Sequence, residues 1–425
     1  MRIIIRQARV LDAQSDYNNQ IVDILIEDGV ITEIAASLDV EAEKVVEGKG
    51  ICVSPGWVDI FADYREPGYE HKETIISGLD SAAAGGFTHV LVTPNTNPAI
   101  SDKSTVQYLV SKANGHAAQL HPIGAVSKEA EGKQLAEMMD MQRHGAVAFS
   151  DGWKPVQNAG LFLKALEYVK AFDGTLIQVP VDASLSAGGL MHEGPVSTQI
   201  GMAGMPDLAE TIMVHRDIEL LRYTNSKLHI TGISSAASVD MIRRAKAEGL
   251  QVTCSVTPYH LALTDESLRG YSSLYKVNPP LRSEADRQAL IAGLKDGTID
   301  VIASHHRPQE WDAKAKEFEY ASDGMNIQQI AFNIVWEALK NEVSLERIVD
   351  AFGAAPRKVF GFDNAQINKG KNIEITIFSP EEETHLKKDN WKSLSNNNPF
   401  GDKLTGNIYG IINHNKCNLN QYEKQ

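Results

Sequence analysis

The chain has 425 residues, an apolar fraction of 43% and a formal charge of −14. That length exceeds one ordinary domain and suits a (β/α)8 barrel with a smaller satellite. The acidic balance argues against non-specific nucleic-acid binding, which needs a basic surface. No apolar run reaches about 18 residues, so no membrane span is indicated. Met1-Arg2-Ile3-Ile4-Ile5-Arg6 turns polar too soon for a secretory leader and reads as a strand. Short alternating strands are predicted over 3–10, 21–27, 30–35 and 44–53, with a tight hairpin at Glu27-Asp28-Gly29.

From Ser54 to about Asp363 the pattern changes to strand, helix, strand, helix. Strands are predicted over 56–64, 89–95, 119–127, 146–151, 175–182, 227–234, 251–258 and 299–306. Helical stretches over 72–84, 161–171, 208–222, 237–247 and 287–294 lie between most of them. Eight strands alternating with helices point to a closed parallel barrel rather than an open sheet. After Phe362 strand character returns over 374–378 and 404–412, and the polar tail after Asn413 is expected to fray. The expected architecture is therefore α/β, a (β/α)8 TIM-type barrel over 54–363. A small β-sandwich is formed by both chain ends, 1–53 and 364–425. Cys52, Cys254 and Cys417 are too few and too scattered for a disulfide framework or a zinc cluster, which suggests a reduced, cytoplasmic compartment.

In such a barrel, reactive groups project from the C-terminal strand ends. Side chains two apart share a face, so Asp59, Phe61 and Asp63 are expected to point inward together. Other chemical signals are weak. No Walker-type phosphate loop is present, Gly85-Gly86 and Gly188-Gly189 read as turn glycines, and Cys254 reads as a packed thiol.

Residues 55–68, Pro-Gly-Trp-Val-Asp-Ile-Phe-Ala-Asp-Tyr-Arg-Glu-Pro-Gly, resemble the first-strand signature of dihydroorotase, an amidohydrolase-superfamily enzyme. Further segments follow the same family's order: Thr93 to Pro98, Phe149 to Gly152, Ser186 to Gly194, Gly201 to Glu210, Thr257 to Leu261, Val277 to Arg282, and Asn398-Pro399-Phe400. The resemblance implies a cyclic-amide hydrolase fold whose active relatives use zinc. It also implies where ligands and catalytic groups would stand, and here they are replaced. Phe61 and Asp63 hold the places of a His-x-His pair. Val179 and Gly232 hold two further histidine places, and His305 holds the catalytic aspartate's. His229 is offset by an odd number of residues from position 232, so it should face the other way.

The resemblance thus implies a non-catalytic homologue with no cofactor, because Phe61, Val179 and Gly232 offer no lone pair to a cation. Asp63, Asp151 and His305 remain as residual metal candidates for a rebuilt site. Arg65, Asn95 and Asn278 match positions that hold the substrate carboxylate in the family, so a small carboxylate ligand is one expectation. The plainer reading makes Arg65 an internal ion-pair partner and the asparagines turn residues. Relatives that lost their metal site imply a scaffold role beside aspartate carbamoyltransferase, and the family implies a homodimer. The alternatives are an active dihydroorotase with a rebuilt site and a binding protein for dihydroorotate or carbamoyl aspartate.

Overall fold

The computed structural model describes residues 1–387 and 390–420. The N-terminal strands are Arg2–Val10 (β1), Ile21–Glu27 (β2), Val30–Ala35 (β3), Lys44–Val46 (β4) and Cys52–Pro55 (β5). The barrel strands are Trp57–Ala62 (β6), Phe87–Val92 (β7), Gln119–Gly124 (β8), Ala148–Phe149 (β9) and Thr175–Gln178 (β10). A two-stranded parallel pair, Met191–His192 (β11) and Gly204–Met205 (β12), decorates the next loop before Lys227–Ile230 (β13), Val252–Val256 (β14) and Val301–Ile302 (β15). Glu374–His385 (β16), Lys403–Asn413 (β17) and Lys416–Leu419 (β18) follow.

Both chain ends join in one eight-stranded sheet in the order β18-β17-β16-β5-β1-β2-β3, with β4 parallel to β1. Its apolar side chains follow the two-residue strand period. Ile3 and Ile5 of β1 enter one cluster with Ile24, Ile375 and Ile412, whereas Ile4 packs on the other face with Leu25 and Leu38. The barrel order is β15-β14-β13-β10-β9-β8-β7-β6, all parallel. Between its first and last strands the ladder gives way to specific bonds. Asp63 N donates to the His306 carbonyl at 2.8 Å, and Ser304 donates to Asp59 from N at 3.0 Å and from Oγ at 2.5 Å.

Helices cover the barrel because their apolar stripes need burial. The helix Ala159–Lys170 buries Phe162, Ala165, Leu166 and Val169, spaced at one helical face, and Asn158 caps its N-terminus through Leu161 N at 2.9 Å. Where barrel and end sheet meet, Trp57 packs against Phe87, Phe332, Phe352 and Phe378, with ring centroids 5.1–6.2 Å away. Beside it the buried Arg357 guanidinium bonds the Gly56 carbonyl and pairs with Glu374, which also meets His89.

Three departures from the sequence expectations have physical causes. The barrel strands are shorter than their apolar runs, because at the mouth the chain leaves the ladder and turns over the top. The 44–53 run divides at Gly48 and Gly50; both pieces pair parallel with β1, and β5 takes β16 as a second partner. The tail does not fray over its described part: β18 pairs antiparallel with β17 and sets Cys417 opposite Ile412, while residues 421–425 lie outside the described residues. The charged stretch over 304–323 is tied down as well. Lys314 Nζ donates to the Ser322 and Gly324 carbonyls, and Lys276 Nζ donates to those of Phe318 and Glu319.

Candidate functional site

The C-terminal ends of the barrel strands bring Phe61, Val179, Gly232 and His305 to one place. Phe61 lies wholly buried, its ring 4.8 Å from that of His305 and 5.1 Å from that of Trp153. Trp153 and His305 meet edge to face at 5.3 Å. Three aromatic rings therefore fill the centre of the mouth.

His305 takes its position through two local features. Its backbone is left-handed at φ 48°, which turns the ring inward, and its Nε2 shares a 2.8 Å hydrogen bond with Thr231. Burial pushes the imidazole well below its ordinary pKa, so it is neutral. Gly232 makes room for it. A Cβ on residue 232, itself at φ +72°, would collide with His305 Cε1. The missing side chain at 232 and the ring at 305 are thus fitted to one another.

Asp63, Asp151 and His305 do not form a joint site. Asp63 is fully buried, accepts from Thr93 Oγ1 at 3.1 Å, and pairs with Arg65 at 2.7 Å and Arg307 at 3.8 Å. Asp151 turns to Ser127, accepting from its N at 2.9 Å and its Oγ at 2.5 Å, and burial raises its pKa. Among the described residues no group of three or more His, Cys, Asp or Glu side chains could hold a metal ion. The donor set does not fit the zinc that the resemblance implies. Phe61, Val179 and Gly232 offer nothing, Asp63 already faces two cations, and one nitrogen of His305 is bound to Thr231.

Other expectations are corrected by the same geometry. Asp59 does not share the inward face with Phe61. Pairing between β6 and β7 is irregular from Asp59 to Ala62, and Asp59 accepts from Ser304 and from Gln328 Nε2 at 2.6 Å. His229 does point into the barrel, two residues below Thr231. There it bonds Thr253 at 2.8 Å and packs on Phe360, and burial takes its pKa down to about 3. His306 turns away from His305, wholly buried against Glu73 at 3.5 Å.

Arg65 and Asn95 are committed to the protein itself. Arg65 pairs with Asp63 and donates to the Asn95 carbonyl at 2.9 Å. Asn95 Nδ2 donates to the Asp151 carbonyl at 3.1 Å, and its Oδ1 accepts from Trp153 N at 3.0 Å. Asn278 instead lines an open cleft of about 660 Å³ above the mouth, together with Trp153, Val179, Arg307 and Lys154. Sequence reasoning passed over Trp153, Thr231 and Arg307. Only the place of Trp153 directly after Ser150-Asp151-Gly152, and of Arg307 directly after His305-His306, could have flagged them.

The chain superposes along its length on hydantoinase structures. The L-hydantoinase (dihydropyrimidinase) from Arthrobacter aurescens matches 98% of this chain and 95% of its own at TM-score 0.83, with 21% identity. The D-hydantoinase (dihydropyrimidinase) from Thermus sp. matches at TM-score 0.81 and 20% identity, covering 100% of this chain and 97% of its own. The fold is that of these hydantoinases. A Dihydro-orotase-like family profile matches residues 50–238. Dihydroorotase of Acetivibrio thermocellus is 40% identical over 412 residues, 96% of each chain. That of Syntrophus aciditrophicus is 39% identical over 413 residues, 96% of this chain and 97% of its own. The chain belongs to the dihydroorotase family.

Proposed function

We propose that this dihydroorotase-family protein does not hydrolyse cyclic amides and serves as a structural partner of aspartate carbamoyltransferase, itself assembling as a homodimer. The supporting observation is the aromatic filling of the barrel mouth, where Phe61, Trp153 and His305 touch one another. Opening a neutral cyclic amide needs an activated water, and a metal ion ordinarily supplies it. His305 is neutral but lies among the rings, bound to Thr231. A rigid barrel can outlast its chemistry, since fold does not fix function.

A second reading rests on the relatives. Identity of 40% with a chain named dihydroorotase supports an active enzyme with a rebuilt site. Purified protein assayed for dihydroorotate turnover with added zinc or manganese, together with elemental analysis, separates the two. Silence in every condition is expected; turnover that scales with bound metal would overturn the proposal. Size exclusion with aspartate carbamoyltransferase tests the scaffold role, and separate elution at micromolar concentration counts against it.

A further inference from the structure

The helix Leu208–Thr224 is apolar on two opposite faces. Its inner face buries Met213, Val214, Ile218 and Leu221. Its outer face exposes Leu208 by 48%, Ile212 by 42% and Tyr223 by 77%. A helix on a globular surface ordinarily sets one apolar stripe against a polar face, so a second apolar face calls for cover. Isolated exposed apolar residues are ordinary, but here three lie along one side of one helix.

The order of residues on that side says what covers it. Ile212, Arg216, Glu219 and Tyr223 follow at helical steps of four, three and four and share the outer face. The stripe reads apolar, cationic, anionic, apolar, and reversed it is its own complement. Two copies crossing antiparallel, about a two-fold axis between positions 217 and 218, set Ile212 of each against Tyr223 of the other. The same axis sets Arg216 of each against Glu219 of the other. Local bonding leaves both ion pairs open. Arg216 places four N–H bonds on Asp217 and on the Val156 and Gln157 carbonyls, so one of its five donors remains. Glu219 meets Arg222 through Oε1, and its Oε2 has no partner among the described residues. Ile212 and Tyr223 stand about 17 Å apart along the axis, and the helices Ala159–Lys170 and Ala236–Ala247 pack alongside and widen the contact. We infer that this face is a self-association surface, on which a second copy of the chain seats the same helix antiparallel. The inference rests on the homodimer of the preceding reading and names its interface; neither hydrolysis nor the carbamoyltransferase enters it.

Sedimentation velocity of the full chain at roughly 10 μM is expected to show a dimer. Ile212→Glu and Tyr223→Glu each place a carboxylate against an apolar neighbour. Each is expected to raise the dimer dissociation constant by roughly 100-fold, as loss of a buried anchor does. Oxidative cross-linking reads the arrangement itself. The double variant Ile212→Cys/Tyr223→Cys should form a covalent dimer, and neither single variant should exceed the native chain, because each position meets the other and not itself. A native chain that sediments as a monomer would overturn the inference and the homodimer together. A dimer that persists in both folded glutamate variants would overturn this face alone. So would a double cysteine variant that stays uncross-linked, or single variants that cross-link as well as the double. Should the glutamate variants fail to fold, the cross-linking pattern decides alone. Turnover of dihydroorotate would sink the non-hydrolytic reading without touching this surface.

Discussion

Replacing Gly232 by alanine should destabilise the protein out of proportion to one methyl group. Its φ of +72° costs an L residue roughly 1–2 kcal/mol. The new Cβ collides with His305 Cε1, so the ring must move. Movement breaks the 2.8 Å bond to Thr231, worth about 1 kcal/mol. It also disturbs packing on Phe61 and Trp153, at about 1–3 kcal/mol for an overpacked core. Together these give about 3–6 kcal/mol, measured as the shift in urea midpoint with the m-value checked for constancy. The decisive comparison is the same substitution in a His305→Ala background. With the ring gone only the backbone cost remains, so the two sites should couple by about 2–4 kcal/mol in a double-mutant cycle. Equal cost in both backgrounds would show that residues 232 and 305 are packed independently, and the account of the filled mouth would fall.

Restoring one ligand should not restore a metal site: Phe61→His is expected to bind no stoichiometric zinc by elemental analysis, since Val179 and Gly232 still offer nothing. Arg65→Met should cost more stability than Asp63→Asn, because the first leaves a fully buried carboxylate with only the more distant Arg307 as counter-charge and the second leaves two partly exposed guanidiniums; denaturation midpoints in the opposite order would refute this. Acid should weaken the fold early. Burial takes His121 and His229 to about 3 and His260 to about 4. The unfolded chain takes those protons first, near pH 6.5, so it binds more protons through the window from 6.5 down to 3–4. Stability is therefore full above pH 6.5 and falls as pH drops, by about 1.4 kcal/mol per pH unit for each imidazole toward the lower end. A urea midpoint that stays flat between pH 7 and pH 4.5 would contradict the neutral, buried assignment.

The barrel and its end sheet were legible because both rest on local periodicity. The continuous apolar run Ile3–Ile5 reports a strand buried on both faces, and helical spacing such as Phe162, Leu166 and Val169 reports burial on one, wherever those faces finally pack. That Phe61, Val179 and Gly232 offer no side-chain donor to a cation was legible too, since side-chain chemistry alone says so. The irregularity in β6 was not, and it sent Asp59 to Ser304 and Gln328 against simple alternation. The partner of Asp63 was also left open, because the choice among Arg65, a metal ion and solvent depends on distances that strand registers set.

Residue identity along the chain determined the family, the alternation of strand and helix, and the absence of side-chain donors at Phe61, Val179 and Gly232. Only the folded chain decided what surrounds those positions. Residues 61, 153, 232 and 305 lie far apart in sequence, and nothing local reports that the His305 ring fills the space left bare at Gly232. Close packing is a property of the assembled interior, so the fit of His305 over Gly232 and the stacking of Arg307 on Trp153 exist only there.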